Sequence, residues 1–141
     1  MSELPASIET GLEQWHQFAA TWKPEILQAL LTDDCVFHSP FLWKPKPGKG
    51  KTMMALTAAS QVFENFKYHR QLTDGTSVML EFSANVGEMS LKGIDLIRFN
   101  ADGKIEDFEV MIRPFKGLQA LAEAMTKQLM KQGDYEAFIA G

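Results

Sequence analysis

The chain has 141 residues, 45% of them hydrophobic, which predicts one domain with a full core that needs no metal or disulfide to hold it together. A net charge of −4 argues against a nucleic-acid partner, and no apolar run reaches the roughly 20 residues that span a bilayer, which argues against a membrane partner. The single cysteine, Cys35, excludes an internal disulfide and, with no secretory signal visible, is typical of a reducing compartment, so we expect a cytoplasmic protein.

The first half of the chain is predicted to be mainly helical. Apolar side chains recur at helical spacing over residues 7–22, which predicts an amphipathic helix. A shorter helix should begin at Pro24, because proline suits the first helical turn. A short strand over residues 35–38 comes next, followed by a loop over 39–51 that is rich in lysine, proline and glycine and that we expect to be solvated. Helical spacing returns over residues 52–66 and predicts a third helix.

The second half is predicted to be a run of strands that ends in a helix. The strands are expected over residues 68–73, 78–85, 88–99 and 104–113. Residues 100–103 join the last two strands as a hairpin loop, since Gly103 suits the left-handed position that closes such a turn. Apolar residues at helical spacing from Leu118 to Leu129 predict a final helix, and a tail follows it. Because the connections between the strands are short, a meander is the simplest topology.

This order of elements predicts an α+β fold. Helices followed by hairpin-linked strands are typical of proteins in which helices pack on one face of an antiparallel sheet. Long strands of this kind curl, and a curled sheet around helices leaves a conical hollow. The sequence contains no internal repeat and no linker, so residues 1–141 are expected to form a single domain.

One strand carries a charged group on an otherwise apolar face. Counting by twos from Phe99 back to Met89 meets only apolar residues and glycine, apart from Asp95. A carboxyl group on such a face loses hydration, which disfavours its charged form. Asp95 is then either a structural carboxyl group, held by Trp15 or a backbone amide, or an acid that faces a ligand cavity.

The last strand supplies a second apolar face, which consists of Phe108, Val110 and Ile112. This face meets the one that carries Asp95 if the hairpin loop pairs Phe99 with Lys104. That register sets Asp95 opposite Phe108. The result would be an apolar pocket with one buried acid, which suits a small apolar molecule that bears a carbonyl or hydroxyl group.

Two segments resemble the SnoaL-like proteins, which belong to the group related to nuclear transport factor two and ketosteroid isomerase. LLTDDCVFHSP (30–40) resembles the segment that ends the second helix and enters the first strand in that group, and GIDLIRFNADGKIEDFEVMIRP (93–114) resembles its last hairpin. The resemblance implies a cone-shaped fold in which a curved antiparallel sheet wraps around N-terminal helices, with a core over residues 4–114. The final helix and tail, 115–141, form an extension of a kind found among SnoaL-like proteins.

The resemblance carries over to the catalytic positions only in part. Asp95 matches the isomerase acid that stays protonated and donates a hydrogen bond to the oxyanion. The isomerase base falls on Ser39, which cannot serve as a base unaided, and the isomerase tyrosine falls at or near Trp15. His38 is a candidate base next to Ser39, but strand alternation turns it to the opposite face, so it needs a bulge to reach the cavity. These departures argue against the usual ketosteroid isomerase mechanism.

Several other residues are expected to have no catalytic role. The Arg-x-Asp pattern of the epoxide hydrolases in this group is absent, because Arg98 follows Asp95 instead of preceding it. Asp102 and Asp107 are expected to be turn and surface residues. Cys35 has no obvious activating partner and is expected to be an inert buried thiol.

These observations predict a protein that binds a small hydrophobic ligand, with cofactor-free acid–base chemistry of the isomerase, cyclase or hydratase type. Asp95 would be the donor and His38 its partner. The ligand is expected to contact Trp15, Ser39, Phe41, Trp43, Phe82, Phe108, Val110 and Ile112. The sequence shows no metal-binding cluster and no nucleotide fingerprint, so we expect neither a metal nor a cofactor.

The alternative is a non-catalytic module of the same fold that binds a ligand or dimerises. The other face of the strand that carries Asp95 consists of Ser90, Lys92, Ile94, Leu96 and Arg98. Its mixed polar and apolar character suits a protein–protein surface. The resemblance implies a homodimer, and we expect it to form through this outer face of the sheet.

Overall fold

A computed structural model describes residues 4–140 of the chain. Its helices are α1 (Ala6–Thr21), α2 (Pro24–Leu30), α3 (Lys49–Val62), α4 (Phe115–Gln132) and α5 (Tyr135–Ile139). Its strands are β1 (Leu31–His38), β2 (Lys46–Pro47), β3 (Glu64–Asp74), β4 (Ser77–Val86), β5 (Met89–Phe99) and β6 (Ile105–Arg113). None of the helices in the described range is long and apolar enough to cross a membrane.

The strands form one curved, unclosed sheet in the order β2-β1-β6-β5-β4-β3. The predicted α+β architecture with an added C-terminal helix is confirmed, and so is the antiparallel meander from β3 to β6. β1, however, runs parallel to β6, so the sheet is mixed and not antiparallel throughout as predicted. Parallel neighbours need a long crossover connection, and α3 together with the meander supplies it.

Several element boundaries differ from the predicted ones. β1 begins at Leu31 rather than at residue 35. The third helix begins at Lys49 and ends at Val62, and the predicted helical residues from Glu64 to Phe66 belong to β3 instead. In β3, Phe66 stacks on Phe82 of the neighbouring strand, with ring centroids 4.8 Å apart. A cross-strand aromatic pair of this kind stabilises a sheet, which accounts for the early end of the helix.

The apolar stripe of α1 fixes the helix on the concave face of the sheet. Its buried members include Ile8, Leu12, Trp15 and Phe18, as the helical spacing predicted. Burial of each such side chain contributes about 1.5–3 kcal/mol to stability. Where α1 crosses the β5–β6 hairpin, a Cβ atom on Gly11 would lie 2.1 Å from the carbonyl oxygen of Gly103. Only glycine at position 11 allows this close approach.

The β5–β6 hairpin has a different register from the predicted one. Asp95 lies opposite Val110, whereas the prediction set it opposite Phe108. Asn100 accounts for the difference, because its Oδ1 accepts hydrogen bonds from two backbone N–H groups of the loop, at 2.9 and 3.0 Å, and so holds Lys104 inside the loop. The partner of Asp95 moves by two positions, so the same β6 side chains still share a face with it.

The C-terminal helices cover one end of the concave face. Buried residues of α4 include Leu121, Met125 and Leu129, and the predicted tail folds as α5, whose Phe138 is 2% exposed. Lys46 is buried beneath α5, so the expectation of a wholly solvated loop is wrong at this residue. The Lys46 ammonium donates a hydrogen bond to the carbonyl oxygen of Ile139 at 3.4 Å and lies 5.6 Å from the centre of the Phe138 ring.

Candidate functional site

Asp95 projects from β5 into the space between the sheet and the helices and is 5% exposed. Tyr68 on β3 donates a hydrogen bond from its hydroxyl group to Oδ2 of Asp95 at 2.6 Å. Trp15 on α1 in turn donates a hydrogen bond from its indole Nε1 to the Tyr68 oxygen at 2.9 Å. A series of two hydrogen bonds therefore connects the helix, through Tyr68 on β3, to the acid on β5.

The residues between Tyr68 and Asp95 explain how β3 reaches the acid across β4. Tyr68 pairs with Phe82 on β4, and Phe82 pairs with Gly93 on β5. A Cβ atom at position 93 would lie 2.8 Å from Cζ of Phe82 and 2.5 Å from the backbone oxygen of Met111. Glycine at position 93 therefore leaves the space that the tip of the Phe82 ring occupies.

Burial has the largest effect on the pKa values of Asp95 and Tyr68. It raises the pKa of Asp95 to about 7, although the hydrogen bond from Tyr68 acts in the opposite direction. Burial and the nearby Asp95 carboxyl group raise the pKa of Tyr68 well above its ordinary value, so its hydroxyl group stays protonated. At neutral pH, Asp95 is thus present in both forms and can either donate or accept a proton.

A small space beside Asp95, here called the inner cavity, has a volume of about 50 Å³. One buried water molecule needs about 10–15 Å³ of such space, so the inner cavity has room for a few waters. Its polar lining residues are Ser39, Tyr68 and Asp95. Its aromatic lining residues are Trp15, Trp22, Phe37, Phe41, Phe63, Phe66, Phe108 and Phe138. The surroundings of the acid are therefore mainly apolar.

The structure brings most of the predicted ligand-contacting residues together at the inner cavity. Those that line it with Asp95 are Trp15, Ser39, Phe41, Phe108 and Val110. Phe82 lies deeper, as a buried ring packed against Phe63 and Tyr68. Trp43 is 97% exposed and lines a separate open space together with Ile112.

That open space, here called the outer groove, has a volume of about 1090 Å³. It lies between the loop after β1, the end of β6 and the first turns of α4. Exposed apolar side chains that line it are Trp43, Met111 and Phe115, and its polar lining residues include His38 and Glu109. The outer groove was not expected from the sequence, because its walls come from segments that are distant in the chain.

His38 is not brought to Asp95. Its Nε2 lies 2.9 Å from Oδ1 of Asp107 on β6, and its ring lines the outer groove and not the inner cavity. The register irregularity of β1 lies between Leu31 and Val36, so alternation still turns His38 away from the concave face at the strand end. Asp107, expected at the surface, is a half-buried partner of this imidazole.

Tyr68 is the polar site residue that the sequence prediction missed. It stood at the start of the predicted strand 68–73, where most neighbouring side chains are polar and where no apolar alternation marked an inward face. The available signal was chemical: a tyrosine hydroxyl group and a carboxyl group that are both buried each need a partner.

A metal centre has no basis in the described part of the chain. Between residues 4 and 140, no three side chains of histidine, cysteine, aspartate or glutamate cluster closely enough to hold an ion. The buried Cys35 thiol donates a hydrogen bond to Thr52 at 3.3 Å, and burial raises its pKa. A raised pKa lowers the thiolate fraction, which makes Cys35 a poor nucleophile.

Comparison with known proteins identifies relatives over nearly the whole chain. Residues 12–108 match the SnoaL-like domain. A protein described as a steroid delta-isomerase from Pseudomonas aeruginosa is 49% identical, with a TM-score of 0.89 over 94% of this chain and 98% of that one. An uncharacterised protein with a cystatin-like fold from Silicibacter pomeroyi is 32% identical, with a TM-score of 0.86 over 94% of each chain.

More distant structures share the fold alone. An epoxide hydrolase from M. tuberculosis, described as LEH-like, is 18% identical, with a TM-score of 0.61 over 89% of this chain and 96% of that one. An NTF2-like protein of unknown function from Cytophaga hutchinsonii is 16% identical, with a TM-score of 0.60 over 80% of this chain and 94% of that one. No curated protein matches the sequence.

Proposed function

The chain belongs to the SnoaL-like domain family, and from this premise we propose that it binds a small, largely apolar carbonyl compound beside Asp95 and moves a proton within it. The proposal is a cofactor-free isomerase. It depends mainly on one observation: a buried carboxyl group with a pKa of about 7 faces an apolar cavity. An acid whose pKa lies near the working pH is well matched to proton transfer in both directions.

The reaction that suits a single carboxyl group is the shift of a carbon–carbon double bond toward a carbonyl group. Ionised Asp95 takes a proton from the carbon between the carbonyl group and the double bond, which leaves an enolate. Protonated Asp95 then returns that proton to the far carbon of the former double bond. Substrate and product are isomers, so no other reactant is consumed. The relative from Pseudomonas aeruginosa, described as a steroid delta-isomerase, supports a steroid ketone as the substrate class.

Two neighbouring side chains have supporting roles in this proposal. Ser39 lines the inner cavity, and its hydroxyl group can donate a hydrogen bond to the enolate oxygen while its oxygen accepts one from the Phe41 backbone N–H at 3.2 Å. Tyr68 positions the Asp95 carboxyl group through its 2.6 Å hydrogen bond. His38 has no part in this step, because its imidazole lies outside the inner cavity.

The substitution Asp95→Asn tests the proposal. Androst-5-ene-3,17-dione serves as substrate, and the absorbance of the conjugated enone product measures turnover. We expect kcat to fall about 100-fold or more, because the amide can neither take nor return the proton. Asp102→Asn, which changes an exposed carboxyl group of the hairpin loop, is the matched control and should retain the wild-type rate. Wild-type turnover by the Asp95→Asn variant would refute the role of Asp95.

A second candidate function is a non-catalytic ligand-binding module. The observation that favours it is the absence of a second carboxyl group or an imidazole among the described residues that line the inner cavity. In this case the wild-type protein would bind the conjugated product, androst-4-ene-3,17-dione, with an affinity that depends on Asp95, but would not turn over the substrate.

We also propose a homodimer that forms through the outer face of the sheet and works in the cytoplasm. Ile94 and Leu96 are half-buried on this face, and Leu72 is an exposed apolar residue on a strand of the same sheet. Arg70 and Lys92 surround Glu81 there, at 2.7 and 3.3 Å. A mixed surface with an apolar centre supports self-association, and the free, buried Cys35 supports a reducing compartment.

A further inference from the structure

The inner cavity and the outer groove are neighbours. Ser39, Pro40, Phe41 and Val110 line both spaces, and these four residues are here called the partition. The inner cavity, with a volume of about 50 Å³, lies on one side of the partition, next to the acid. The outer groove, with a volume of about 1090 Å³, lies on the other side and opens to solvent. A ligand that reaches Asp95 from the outer groove has only these side chains to pass.

The partition is thin because β1 ends beside it. His38, the last residue of β1, pairs with Glu109, so from Val110 onward β6 has no further pairing with β1 in the sheet described for residues 4–140. An irregular loop over residues 39–45 closes the gap, and its Phe41 is only half-buried. Val110 lies directly opposite Asp95 in the β5–β6 register. The acid is therefore one side chain away from the outer groove.

The outer groove exposes several large apolar side chains together. Trp43 is 97% exposed, Phe115 is 77% exposed and Met111 is 44% exposed. Clustered apolar exposure of this kind marks a binding surface. The outer groove shares the partition with the inner cavity, so an apolar body that covers these rings would lie next to the space that contains the Asp95 carboxyl group.

We propose that the inner cavity and the outer groove form one site for an elongated, fused-ring ligand. Its carbonyl end passes Phe41 to reach Asp95, and its apolar body lies on Trp43 and Phe115. This inference rests on the proposed function and deepens it, because it gives the ligand a shape. Ligand sites for molecules of this size enclose roughly 300–1,000 Å³. The inner cavity, at about 50 Å³, is too small to hold such a ligand by itself, so most of the ligand must lie in the outer groove.

Two probes of different length test the joined site in NMR titrations of the ¹⁵N-labelled protein. Cyclohex-2-enone carries the carbonyl end alone, and androst-4-ene-3,17-dione adds the fused-ring body. We expect the steroid to shift the indole N–H signal of Trp43 and the backbone signal of Phe115. Cyclohex-2-enone should shift signals next to Asp95 and leave those two unchanged.

Substitutions then assign the contacts. Trp43→Ala and Phe115→Ala should each weaken steroid binding by about 3- to 10-fold, since each removes an apolar contact, and should leave the binding of cyclohex-2-enone unchanged. Asp95→Asn should weaken the binding of both probes. Met130→Ala, which removes an apolar side chain that is 57% exposed on α4 and lines neither space, is the matched control and should change neither.

The outcomes separate the two proposals. If the steroid binds in a manner that depends on Asp95 but leaves the Trp43 and Phe115 signals unchanged, the joined site is refuted while the proposed function stands. If it shifts the Trp43 signal and Asp95→Asn leaves its affinity unchanged, the outer groove is a separate site, and the joined site is again refuted. If neither probe binds the wild-type protein, both proposals fail.

Discussion

At Asp95, burial and hydrogen bonding shift the same pKa in opposite directions. The ordinary value of 3.8 rises to about 7, so burial outweighs the hydrogen bond from Tyr68. Between these two values the folded protein binds a proton that the unfolded chain has released, and the free energy of unfolding therefore falls as the pH rises. A shift of this size corresponds to about 4 kcal/mol over the whole interval.

The pH dependence of stability provides a test at this residue. Asp95→Asn replaces the acid with a neutral group of the same shape, so the variant should lose the part of the stability decline that lies between pH 4 and pH 7. We expect the variant to be more stable than the wild-type protein at pH 8 and close to it at pH 4, as measured by urea unfolding. Asp102→Asn should keep the wild-type slope, and equal slopes for Asp95→Asn and the wild-type protein would contradict the buried-acid interpretation.

Single residues also show what the sequence can predict of the site. Asp95 could be found because it is the one charged residue on an otherwise apolar strand face. Alternation also indicated that His38 points outward, although His38 was predicted as the partner of Asp95. Tyr68 could not be found, since its contact with Asp95 spans an intervening strand and depends on two registers at once. Trp43 was expected in the pocket for its aromatic character, but the direction of a loop side chain has no periodic signal.

Among the elements, α5 depends on contacts from a distant segment. Lys46 on β2 binds the carbonyl oxygen of Ile139, and Lys51 on α3 binds that of Ala140. These cations meet carbonyl groups at the end of a short helix, where no intrahelical donor is available. Because Phe138 lines the inner cavity, the two lysines also hold one wall of the site in place.

Removal of one lysine should loosen α5. We expect Lys46→Ala to speed amide hydrogen exchange over residues 135–139 by about 10-fold or more, because a hydrogen bond from a charged donor contributes about 1.5–3 kcal/mol. Lys44→Ala changes an exposed lysine nearby and serves as the control. Equal exchange rates for the two variants would show that the contact with Lys46 does not hold α5.

The elements themselves were predictable to different degrees. The helices α1 and α4 and the β3–β6 meander follow from local periodicity and short connections, which are properties of adjacent residues. The parallel pairing of β1 with β6 and the docking of α5 depend on contacts between segments that are far apart in the chain. No local pattern encodes such pairings, so they were not predicted.

For the whole molecule, the proposed homodimer can be tested by a charge on its expected interface. Ile94→Lys places an ammonium group at the centre of the outer face and should weaken self-association at least 10-fold, because a buried unpaired charge is costly. Sedimentation velocity over a range of concentrations measures the effect. Met130→Lys changes an apolar residue on α4 that is 57% exposed and should leave association unchanged. A monomeric wild-type protein would refute the interface outright.

Gly93 limits how the interior of this molecule can be remodelled. Even a methyl group at that position would collide with the backbone of β6 and the Phe82 ring. No larger side chain can therefore be introduced at this position of the sheet beside the inner cavity. The helix side is adjustable, because α3 presents the small residues Ala55 and Ala59 to the same space. Substitutions that adapt the site to a larger or smaller ligand must therefore be made on the helices and not on the sheet.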